Sequence, residues 1–97
     1  MPKAYWMSTY LEIHDEKKLA AYAELAGPAV IAAGGRFLSR GVAIKAFEAG
    51  KLQRSTLVEF DSLEAAVAAH ETPDYKKALA ALEGGVTRDL RIVAGIE

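Results

Sequence analysis

Arg36 and Arg40 sit in the stretch AGGRFLSRG, residues 33–41, where they bracket Phe37, Leu38 and Ser39. Side chains four residues apart on a strand share a face, so both guanidinium groups are expected on one side of a sheet, around Leu38. A guanidinium presents a planar fork of fixed donors. Arg40, with Arg36 beside it, is therefore the candidate for binding an anionic or polar ligand group. Glu59, near the end of RSTLVEF, and His70 are the candidates for moving a proton, a carboxylate and an imidazole being common general acid–base groups. Tyr22 offers a ring and a hydroxyl to the same pocket.

Each residue also has a plainer role. Whether Arg40 meets Glu59 depends on the turn at EAGK, residues 48–51. An even number of loop residues sets the two on one face, whereas an odd number flips the parity and separates them. An Arg–Glu pair there either holds a ligand or is a structural ion pair at the rim of the sheet. His70 either looks into the space between helix and sheet or ends a helix, where a cation suits the macrodipole. Tyr22 lies on an apolar helical stripe and is accounted for equally by core packing.

Strands and helices must place these groups. AYWMSTYLEI (4–13) reads as a strand bulky on both faces, with Tyr5, Met7, Leu11 and Ile13 on one side and Trp6 and Tyr10 on the other. A helix follows from an Asp15 cap, with Leu19, Tyr22, Ala26, Val30 and Ala33 as its stripe. Gly27-Pro28 should kink or restart that helix, and Gly34-Gly35 should end it. Residues 36–47 and 53–60 read as a hairpin, with Gly41 marking a bulge or a close backbone approach. A second helix opens at Asp61 or Ser62 with an inward stripe of Leu63, Ala66 and Val67, then restarts at Thr72-Pro73. Gly84-Gly85 stop it, and VTRDLRIVAGI is the last strand.

The order β-α-β-β-α-β is the α+β, ferredoxin-like arrangement with a four-stranded antiparallel sheet and both helices on one face. Right-handed crossovers suggest that strands one and three lie side by side and parallel. Four strands leave an uncovered apolar face of about 400 Å², more than a monomer usually exposes, so a homodimer is expected.

Composition narrows the functions. With 97 residues the chain is read as one domain, residues 1–97. It has no cysteine, which excludes disulfides and thiolate sites, and its net charge of −1 leaves no footprint for nucleic acid. The third strand lacks the glycine–aromatic pattern of RNA-recognition modules. AGGRFLSRG lacks the GxxxxGK pattern of a phosphate loop. The two histidines stand 56 positions apart without a carboxylate pattern around them, so no metal and no cofactor are expected. No signal peptide or membrane span is seen, and cytoplasmic residence is the expectation.

AGGRFLSRG, LVEFDSLEAA, TPDY and RIVAG, in that order and with Tyr22 and Pro28 in the first helix, resemble the family known as domain of unknown function 1330. The resemblance runs over nearly the whole chain. It implies a dimeric α/β-barrel, the fold also used by cofactor-free monooxygenases of antibiotic biosynthesis, muconolactone isomerases and chlorite dismutases, and no established reaction. In relatives the closing strand often reads valine, acidic residue, glycine, whereas this chain has Val93, Ala94, Gly95. The expected function is thus binding of a small organic molecule in a sheet–helix cavity, with or without cofactor-free proton-transfer or oxygenase chemistry. The alternative is a non-catalytic binding, sensing or interaction protein.

Overall fold

Local capping chemistry sets the helix boundaries. In the computed structural model, which describes residues 2–96, strand β1 (Ala4–Ile13) leads into helix α1 (Glu16–Ala32). The Asp15 carboxylate accepts from the amides of Lys17 and Lys18 at 2.9 and 3.2 Å, satisfying donors that the first turn leaves open. α1 runs unbroken through Gly27-Pro28, so of the expected kink or restart the restart does not occur. Its end is the expected one: Gly34 takes φ +95°, and the Gly35 amide returns to the Val30 carbonyl at 2.9 Å. Ser62 opens α2 (Leu63–His70), and Thr72 with Pro73 at the first turn opens α3 (Pro73–Leu82). The second helix is thus two segments, as the sequence indicates. Its inward stripe differs from expectation. Ala66 and Ala69 are buried, whereas Leu63 and Val67 are half exposed.

Strands β2 (Arg36–Val42), β3 (Arg54–Phe60) and β4 (Val86–Ala94) join β1 in one sheet of order β2-β3-β1-β4. This is the ferredoxin-like fold. Every neighbouring pair is antiparallel. β1 and β3 are adjacent as expected, but the expected parallel direction is wrong. The β2–β3 hairpin reverses the chain, so the strand parallel to β1 is β2, and β3 inserts between them.

Helices cover one face of the sheet. Ala4, Trp6, Ser8 and Tyr10 of β1 point under them, with Val58 and Phe60 of β3 and Leu90 and Ile92 of β4. Trp6 donates to the Ala66 carbonyl at 2.8 Å and so ties α2 to the central strand. Tyr5, Met7, Leu57 and Val93 lie on the other face, which no helix or strand among the described residues covers.

Two strands carry irregularities that reassign faces. In β1 the register with β4 shifts between Tyr10 and Glu12, so Leu11 stays exposed and Ile13 turns to the core side, away from Met7. In β2 the register with β3 shifts between Phe37 and Ser39. The bulge therefore falls at Leu38, while Gly41 pairs regularly with Ser55 and has open space beside it. The strand also ends five residues earlier than expected, and residues 43–53 form a loop with a turn at Glu48-Ala49. Glu48 adopts φ 54° there, and a Cβ on Gly50 would stand 3.1 Å from the Phe47 carbonyl oxygen. Ile44 and Phe47 of this loop are 95% and 73% exposed.

Candidate functional site

The bulge and the long loop decide where the candidate residues go. Eleven loop residues, 43–53, separate the last paired positions, Val42 and Arg54. The number is odd, so Arg40 faces Thr56 and not Glu59. The extra residue at Leu38 then switches parity again and sets Arg36 opposite Glu59. Arg36 and Arg40 therefore lie on opposite faces of the sheet, and the expected shared face is corrected. So is the expected meeting of Arg40 with Glu59.

On the outer face, Arg36 Nε donates to Glu59 Oε1 at 3.0 Å, and its Nη2 donates to Asp61 Oδ1 at 2.9 Å. Lys3 reaches the same Asp61 oxygen at 2.9 Å, and Tyr5 donates to Glu59 Oε2 at 3.2 Å. The Arg36 hydrogen bond holds the Glu59 carboxyl below the usual carboxylate range against a smaller opposing effect of burial. Lys3 and Arg36 lower Asp61 in the same way. This is the ion-pair network allowed for at the rim, built around Arg36 rather than Arg40.

His70 is the last residue of α2. Its ring packs against Trp6 and Tyr75 with centroids 5.9 and 5.3 Å away, and Nδ1 lies 3.0 Å from Glu71 Oε2. The His70 hydrogen bond, helped by Lys76, lowers the Glu71 pKa. The imidazole thus borders the core from outside and is not brought together with Glu59, Arg36 or Arg40.

A cavity of about 40 Å³ lies between the helices and the covered face of the sheet. Arg40, Arg54 and Arg88 line it together with Tyr10, Tyr22 and Tyr75. Ser8 and Thr56 add hydroxyls, and Trp6, Val30, Phe37, Val58 and Leu90 supply an apolar wall. Arg88 organises the polar end. Its Nη1 donates to the hydroxyls of Tyr10 and Tyr22 at 3.3 and 3.1 Å, and its Nη2 to that of Tyr75 at 3.1 Å. The Tyr22 and Tyr75 oxygens are 2.7 Å apart and share a hydrogen bond. Burial pushes the Tyr22 phenol far above its ordinary value, outweighing the nearby Arg88 cation that pulls it down. Burial opposes the Arg88 charge, but the phenol oxygens more than offset it, and its pKa lies above the usual arginine value.

Arg40 and Arg54 contact aromatic faces. The Arg40 guanidinium lies 4.4 Å from the Phe37 ring centre, and that of Arg54 lies 5.9 Å from the Tyr10 ring centre. Among the described residues none of the three cavity arginines pairs with a carboxylate. Of the expected site residues, the cavity gathers Arg40 and Tyr22. Arg54, Arg88 and Ser8 were not singled out from the sequence. Among the described residues no group of three or more His, Cys, Asp or Glu side chains is placed to hold a metal, and no helix is long and apolar enough to cross a membrane.

The family model for the domain of unknown function DUF1330 matches residues 3–96. The chain belongs to that family. No curated protein matches it significantly. Its fold is similar to that of a protein of unknown function, RPA0582, from Rhodopseudomonas palustris, with a TM-score of 0.76 at 16% identity over 99% of this chain and 84% of that one. It is also similar to a dimeric ferredoxin-like protein of unknown function from Thermobifida fusca, with a TM-score of 0.66 at 19% identity over 96% and 91% of the two chains. SnoaB, a cofactor-independent oxygenase from Streptomyces nogalater, aligns with a TM-score of 0.68 at 10% identity over 100% and 96%. At these identities the likeness is one of fold. It places this DUF1330 chain in an architecture that carries both uncharacterised proteins and an oxygenase.

Proposed function

We propose that this protein is a cytoplasmic homodimer that binds a small organic molecule in the sheet–helix cavity, as a binding or sensing protein rather than a proton-transfer enzyme. The observation that carries this reading is the cavity's make-up, a few convergent polar groups set in an apolar wall. Binding is favoured over proton transfer because Glu59 points away from the cavity and His70 lies outside its lining. Among the described residues the lining holds no histidine, carboxylate, lysine or cysteine, the groups that usually take protons near neutral pH. Cofactor-free oxygenase chemistry is the second reading, favoured by the wall of Trp6, Tyr10, Tyr22 and Tyr75. Its signature is oxygen consumption on addition of a small phenol.

The bare sheet face supports the dimer. Met7 is 46% exposed and Val93 42%, with Leu57 opposite Met7 on the next strand and charged networks at either side. A second copy packed sheet to sheet would bury about 800 Å² per protomer, the usual scale of a stable interface. Neither nucleic acid nor membrane enters this reading. Light scattering at micromolar concentration should give twice the chain mass, and a monomer refutes the dimer. Ligand-observed NMR with a set of small acids, amides and phenols should show binders that an Ala26→Leu variant, filling the cavity, no longer takes up. If no compound distinguishes the two proteins, the cavity reading fails.

A further inference from the structure

We propose that the ligand of this cavity is a short carboxylate, held by Arg54 and Arg40, with Ser8 and the phenol hydroxyls completing its cradle; the proposal rests on the cavity binding a small organic molecule. The distribution of donors and acceptors points to it. Ser8 is 5% exposed on the inner face of the central strand, and its hydroxyl has no hydrogen-bond partner among the described residues. Arg54 Nε is equally shut off from water and has none either. Leaving buried polar groups unmatched is unfavourable, and here two of them line one cavity.

The phenols add to the surplus. Tyr10, Tyr22 and Tyr75 own one hydroxyl proton each, and Arg88 can only donate to them. The Tyr22–Tyr75 bond uses one proton. The other two remain for an acceptor that the protein does not supply among its described residues. With three guanidinium groups and no carboxylate lining the space, the missing partner is a group that accepts only and carries negative charge.

A carboxylate has those properties, and two parallel N–H bonds from an arginine fork match its two oxygens. The apolar half of the wall, Val30, Phe37, Val58 and Leu90, favours an organic acid with a small hydrocarbon body over an inorganic oxyanion. Volume bounds that body: 40 Å³ has room for about three waters, so a carboxyl group with two or three carbons fills it. Arg40 closes the entrance. It is the exposed member of the lining, and it reaches from β2 across to α1, where a Cβ on Gly27 would stand 3.7 Å from its Nη1.

The test is an NMR titration of the isotope-labelled full chain with propionate, with its neutral isostere propionamide and with inorganic phosphate, at constant ionic strength. Propionate is expected to bind at least 10-fold more tightly than propionamide, with shifts centred on Ser8 and Arg54. Arg54→Met should abolish that preference, weakening propionate at least 10-fold more than propionamide. Ser8→Ala should weaken propionate several-fold. Should Arg54→Met not fold by circular dichroism, Arg54→Lys carries the same test, because it keeps the charge and loses the fork: propionate is expected to lose about 10-fold more affinity than propionamide. Equal binding of propionate and propionamide overturns the carboxylate and leaves the cavity reading standing. Phosphate binding more tightly than propionate also overturns it. If neither organic compound binds, the cavity reading itself fails and takes the carboxylate with it.

Discussion

Removing the Tyr75 hydroxyl, by Tyr75→Phe, tests whether the phenol cluster anchors Arg88. Tyr75 is fully buried. Its oxygen accepts from Arg88 Nη2 at 3.1 Å and lies 2.7 Å from the Tyr22 oxygen. Phenylalanine keeps the ring contacts with Trp6 and His70, whose centroids lie 5.0 and 5.3 Å away, so packing is nearly unchanged. What is lost is one hydrogen bond to a charged donor, about 1.5–3 kcal/mol, and one neutral hydroxyl pair, about 1 kcal/mol. Arg88 is only partly buried, so water can replace some of the first. A net loss of about 2 kcal/mol is expected, and at about 4–8 °C per kcal/mol for a chain of this size the melting midpoint should fall by roughly 8–16 °C. Urea unfolding followed by fluorescence of Trp6, the one tryptophan in the chain, measures the loss at fixed protein concentration, which keeps any association constant. A double-mutant cycle with Tyr22→Phe should show coupling of at least about 0.5 kcal/mol. A loss for Tyr75→Phe below about 0.5 kcal/mol would refute the anchoring role.

Two further variants address the frame around the site. In Gly35→Ala the new methyl would stand 2.6 Å from Val30 Cγ1 and 2.9 Å from the Phe60 ring; both neighbours are core residues, so overpacking should cost about 1–3 kcal/mol in urea unfolding, and an unchanged midpoint would contradict the close packing of that corner. Glu59 predicts an acid-side pH dependence. Its folded pKa is depressed, chiefly by the Arg36 hydrogen bond, so the stability it contributes is present above its unfolded pKa of about 4.3 and is lost as pH falls through the lower folded value. Glu59→Gln should therefore flatten the part of the stability profile between about pH 5 and 3, and an unchanged slope would show that the pair with Arg36 is not formed in solution.

Element order and helix ends were legible because they rest on local chemistry. Asp15, Thr72-Pro73 and the two glycine pairs act within a turn or two of themselves, and no partner strand is needed to read them. The site was much less so. Which face of a strand is buried depends on alternation, and AYWMSTYLEI has bulky residues at both parities. The last strand did hold a signal: Val86, Leu90 and Ile92 share one parity, and Arg88 sits among them. An arginine in an apolar alternation marks a buried polar group seeking partners, and Ser8 between Trp6 and Tyr10 is marked in the same way. The bulges at Leu11 and Leu38 have no such signature, since a bulge is a relation between two strands. That is why the sequence alone sets Arg36 and Glu59 with Arg40 on one face, whereas the folded chain divides these residues between the two faces.

The bulge at Leu38 also governs how this strand can change length over evolutionary time. Leu38 is the residue outside the ladder, with Phe37 still opposite Val58 and Ser39 opposite Leu57. A relative missing this one residue would keep Arg36 over Glu59 and Arg40 over Thr56, now three positions apart instead of four. The gap in an alignment therefore belongs at Leu38. A deletion there leaves both arginines on their faces, whereas one between Gly41 and Val42 would slide the strand end against Arg54. Between relatives, the duties of the two arginines are best compared by ladder position, since spacing along the chain misleads by one.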